Sequence, residues 1–108
     1  MKTNYKFGEV FTLSPQIAAN NEQPQFKNIF STSNGEINLL ALSAGQKLDT
    51  HLANAEVMVT VLSGKIFFKM FDTVHEINTD EFMLVGAEVP HSVEAAEDSK
   101  ILLVKIKN

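Results

Sequence analysis

Three histidines, His51, His75 and His91, are the side chains of this sequence best suited to moving a proton near neutral pH. The chain has no cysteine, which removes thiol nucleophiles, disulfides and cysteine metal sites from consideration. Carboxylates are plentiful, but Glu94, Glu97 and Asp98 read as an acidic loop, since nothing fixes the spacing that an acid/base pair needs. His75, beside Glu76 after the Asp72-Thr73 turn, reads as a surface residue of a hairpin strand. Met58, Met70 and Met83 read as packing residues rather than soft ligands. That leaves His51 and His91, with three roles open to them: a buried, hydrogen-bonded structural imidazole, a contact or proton carrier for a ligand, or a metal ligand.

The elements that must hold these residues are strands. Short apolar runs at Phe26-Phe30, Ile37-Leu42, Val57-Leu62, Ile66-Phe71, Phe82-Val85 and Ile101-Ile106 alternate with turn signals such as Ser33-Asn34-Gly35, Ala44-Gly45 and Ser63-Gly64. A spacing of roughly a dozen residues is that of an antiparallel sandwich or barrel, and no helix long enough for a parallel crossover intervenes. Ahead of residue 25, Phe7 to Leu13 reads as a short strand, and Ser14-Pro15 reads as an N-cap and first-turn proline opening a helical turn through Ile17 and Ala19. Period-two alternation puts Ile66, Phe68 and Met70 inside, opposite Lys65 and Lys69. By the same rule Lys105 and Lys107 mark the outer face of the last strand, with Leu102, Val104 and Ile106 inward. Phe67, Ile101 and Leu103 then need cover, from a second layer or a subunit partner.

Two stretches carry a family resemblance. Gly45-Gln46-Lys47-Leu48-Asp49-Thr50-His51, closed by Val61-Leu62-Ser63-Gly64, resembles the first motif of the cupin superfamily, and Asp80-Glu81 through Val89-Pro90-His91 resembles the second. The resemblance covers residues 36–106 as the core barrel of a single domain, with 1–35 as an N-terminal extension. It implies an all-β fold, a cupin or jelly-roll antiparallel barrel with a short N-terminal helical turn. It also implies a pocket around His51 and His91, lined by Ala53, Val57, Val59 and Val61 from the first motif and Val93 from the second. Phe68 and Met70 join them. On the same alignment the family's second histidine falls on Ala53 and its glutamate on Val57, so His51 and His91 alone keep the metal-ligand type. Glu56, one place early, faces the other side of a regular strand and could ligate only through a bulge.

Charge and length bound the rest. The 108 residues fit one domain. The net charge is -4, and all nine basic residues are lysines, with no arginine to fork onto phosphate or guanine, so nucleic acid and anionic membranes are not expected partners. No run of ~18 apolar residues spans a bilayer and the start lacks a signal-peptide pattern, which makes the cytoplasm the expected location. The expected function is a small-molecule-binding cupin, in which the imidazoles orient a carboxylate or carbonyl oxygen, or act as acid and base in isomerisation or decarboxylation of a small oxygenated acid. The alternative is a metal-dependent cupin enzyme of dioxygenase, isomerase or decarboxylase type, with Fe, Mn, Ni or Zn on His51, His91 and a displaced Glu56. A third class is a structural or sensor module, which a well-packed interior would favour. A homodimer is expected from the family, with Phe26 to Phe30 as a contact.

Overall fold

The structure, a computed structural model, describes residues 2–107. A single 3-10 turn, Ser14–Gln16, precedes nine strands: β1 (Gln25–Thr32), β2 (Gly35–Leu42), β3 (Lys47–His51), β4 (Glu56–Ser63), β5 (Lys65–Met70), β6 (Thr73–Asn78), β7 (Phe82–Val85), β8 (His91–Ala95) and β9 (Ser99–Ile106). All pairings between them are antiparallel, in one sheet of five strands ordered β1-β2-β9-β4-β7 and one of four ordered β3-β8-β5-β6. This is a jelly-roll barrel, as the strand spacing and the motifs predicted. Among the described residues no helix is long and apolar enough to cross a membrane.

Each of the six apolar runs became a strand. Beyond them lie β3, β6 and β8, which mix polar with apolar residues; two of these carry His51 and His91. The expected strand at Phe7 to Leu13 is absent: the segment runs as turns and irregular chain. Ser14 is not the cap either, because the N-cap position falls on Leu13 and no side chain caps the turn.

The inner faces of the two sheets meet in one cluster, with Leu42, Val61, Ile66 and Ile101 fully buried and Leu40 and Phe68 nearly so. Burial of such side chains contributes about 1.5–3 kcal/mol each and supplies the main drive for closing the barrel. On β9 the faces are the reverse of the expectation. Ile101 and Leu103 look inward with Lys105, while Leu102 packs outward against Leu39, Ala41 and Ile17. Lysine misleads here because its aliphatic stem can lie along an apolar wall while its ammonium reaches for polar surroundings. The cover that the two-sided apolar strands demanded comes in part from the chain itself, since Ile17 and Ala19 close over that outer cluster.

The turn from β4 to β5 depends on glycine. Gly64 has φ +94, and a Cβ there would collide with the Ser99 hydroxyl and the Asp98 carbonyl. Ser99, at 1% exposure, explains the tight approach: its hydroxyl accepts from the Lys65 N–H at 3.0 Å and donates to the Glu97 carbonyl at 2.8 Å, tying two chain reversals together.

Candidate functional site

His51 reaches the barrel interior through a bulge. Leu48 stands opposite Val93, and a regular ladder would then set residue 50 opposite His91; the register instead shifts so that His51 pairs with His91. One extra residue in β3 turns His51 to the same face as Leu48, which an odd spacing of three would otherwise forbid. The bulge that sequence parity reserved for Glu56 therefore lies in β3. Glu56 itself is exposed and faces away from Val57 on the outer side of β4.

The two imidazoles are neighbours, with ring centroids 4.4 Å apart and planes at 65°. Their Nδ1 atoms are engaged in the same way: His51 Nδ1 lies 2.9 Å from the Asp49 carbonyl, and His91 Nδ1 lies 3.0 Å from the Val89 carbonyl. A carbonyl only accepts, so in the neutral ring the proton resides on Nδ1 and Nε2 is left as an acceptor. Phe68 fixes the His91 ring further by stacking on it at 5.0 Å and 20°. His51 is exposed at the mouth, whereas His91 is only 8% exposed. Burial pulls the His91 pKa below the ordinary imidazole value; the Val89 hydrogen bond opposes this, while the charges of His51 and Lys105 push it further down. At neutral pH His91 is thus a neutral base.

Both rings open onto a cavity of about 310 Å³. Its walls are mostly apolar. Of the residues expected to line it, His51, Ala53, Val57, Val59, Phe68, His91 and Val93 do so. Two do not: Val61 is fully buried in the core beyond the cavity, and Met70 packs at the core's edge. His75 lies on β6 opposite Phe68, half-buried and on its face of the sheet rather than out on the surface. The sequence reading missed Leu40, Phe26, Asp49 and, of most consequence, Lys105. The available signal was that both alternate rows of β9 are mainly apolar and each carries a lysine, Lys100 in one and Lys105 in the other, so the position of a lysine could not decide the face.

No family model and no curated protein matches the sequence. Solved structures do match the fold. A conserved protein of unknown function from Streptococcus pyogenes superposes with TM-score 0.89 at 23% identity, covering 100% of this chain and 96% of that one. A cupin superfamily protein from Desulfitobacterium hafniense DCB-2 gives TM-score 0.89 at 15% identity over 98% of this chain and 97% of its own. A cupin 2 conserved barrel domain protein from Leptotrichia buccalis gives 0.86 at 26% identity, over 90% of this chain and 47% of that longer one. The fold is that of a cupin.

The polar side chains lining this cupin-fold barrel are Asp49, His51, His91 and Lys105. A transition-metal centre takes three or more protein donors. Among the described residues no group of three histidine, cysteine, aspartate or glutamate side chains comes together. Ala53 and Val57, aligned with the family's second histidine and glutamate, present only methyl groups to the cavity, and Glu56 is on the outer face. The ammonium of Lys105, close enough to His91 to disfavour its imidazolium, opposes a dication as well. The residues lining this barrel do not fit a three-ligand metal centre.

Proposed function

We propose that this cupin binds a small oxygenated organic molecule inside the barrel, with His51 and His91 holding its polar end. The observation that carries the reading is a cavity of about 310 Å³ whose wall is apolar and whose two imidazoles converge with both Nε2 acceptors available. Ligand sites of roughly 300–1,000 Å³ combine an apolar wall with a few placed polar groups in this way, and the volume here is near the small end. In their neutral forms the imidazoles accept from a hydroxyl or from an undissociated acid. A ring that takes the acid proton then donates to the carboxylate left behind.

The test is methyl-resolved NMR of the full chain against a set of small hydroxy acids and keto acids. Binding should shift the methyls of Val57, Val59 and Val93, and His51→Ala should weaken it by about tenfold or more while the rest of the spectrum keeps its dispersion. Undiminished binding in that variant would sink the assignment. Elemental analysis of protein purified without chelator should give well under one metal per chain.

A further inference from the structure

We propose that the ligand of this cavity is a small organic anion, a carboxylate on a short apolar body, and that Lys105 anchors its charge. The inference rests on the cavity-binding reading above and goes on to name its ligand class. Lys105 stands on β9 in the inward row with Ile101 and Leu103, and its Cα pairs with that of Val57 across β4, so it lines the cavity directly. Among the described residues its ammonium makes no ion pair and no side-chain hydrogen bond. What sets it apart is its place, since Lys105 lines the cavity while Lys6, Lys47 and Lys65 find carboxylates on the surface and Lys100 binds the Ser14 carbonyl.

Two acids lie near enough to compete. Glu36 is the cross-strand neighbour of Lys105 on β2, yet it makes no ion pair with it and instead accepts from the Asn38 amide at 3.0 Å. Asp49 lies in the β3 bulge at the mouth, exposed, where water screens its charge. The imidazoles of His51 and His91 complete the polar end, and the carboxylate accepts from an Nε2 only where that ring has taken a proton, which leaves Lys105 as the standing donor. A cation at the edge of an apolar chamber is left short of hydrogen-bond acceptors, and a carboxylate provides two oxygens at once. The methyl-lined wall then takes the apolar body. At about 310 Å³ the chamber suits a short chain or small ring rather than a long lipid.

The probes are butanoate and its neutral near-isostere butanamide, titrated into the full chain while the methyls of Val57, Val59 and Val93 are followed by NMR. Butanoate should bind about tenfold more tightly than butanamide. Lys105→Met, which keeps the stem and removes the charge, should abolish that preference; Lys69→Met, on the outer face of β5, should retain it. Glu36→Gln should strengthen butanoate alone, which gives a readout even if Lys105→Met fails to fold. Equal binding of the two probes to the native chain, or a preference surviving in Lys105→Met, overturns the anchor while leaving the cavity a binding site. If neither probe moves those methyls, the cavity-binding reading falls with it.

Discussion

A pair of imidazoles whose Nδ1 atoms both donate to the carbonyl two residues earlier is set up to present two bases rather than two acids. His91 is held in that state by burial first, then by the charges beside it. An imidazole titration followed by NMR should therefore place the His91 midpoint below the ordinary value, and Lys105→Met should move it back up by removing one of the opposing charges. The same shift has a stability consequence. With the folded pKa below the unfolded one, the unfolded chain binds more protons in the window between them, so stability falls as pH drops from about 6.5 toward the folded pKa. Urea midpoints measured across that window should show this slope in the native chain and a shallower one in His91→Asn. At this scale the sequence was half legible. His51 and His91 declare themselves by type and by their motifs. Lys105 does not, because a lysine on an apolar strand reads as an outer-face marker until the register shows which row it belongs to.

The elements decide where those side chains point. His51 faces His91 only because β3 holds one residue more than its partner strand. Deleting Thr50 removes that extra residue and puts His51 two places after Leu48, where a regular ladder sets a residue opposite His91, so the ladder should straighten with His51 still inward. The expected result is a folded barrel in which the His51 ring still contacts His91, read from nuclear Overhauser contacts retained between them. Gly64→Ala tests the other irregular point, adding a Cβ at positive φ against Ser99 and Asp98. It should cost about 2–4 kcal/mol, seen as a lower urea midpoint with an unchanged slope. The glycine turn was legible from Ser63-Gly64 and the motif around it. The bulge was not, since a single inserted residue leaves no mark in a strand as polar as Lys47-Leu48-Asp49-Thr50-His51.

Across the whole molecule, apolar residues on both faces of the last strand called for cover, but the residues covered are Leu102 of β9 with Leu39 and Ala41 of β2, while Ile101 and Leu103 face inward. What the alternation could not say is that the chain's own Ile17 and Ala19 supply part of that cover, because an irregular segment has no period to read. Ile17→Ala should lower stability by about 2 kcal/mol, measured by urea unfolding, while leaving the cavity methyl shifts unchanged because the cluster lies on the far side of the sheet. The wall that separates the two clusters is β9, which is made after every other strand and yet sits in the middle of the five-stranded sheet, hydrogen-bonded to β2 on one side and β4 on the other. Until residues 99–106 have left the ribosome, β2 and β4 lack their common neighbour, and the nascent chain carries two open sheet edges with Leu39, Leu40, Val57 and Val59 beside them. Barrel closure therefore waits for β9, and the chain still lacking that strand is the species that a chaperone has most reason to hold.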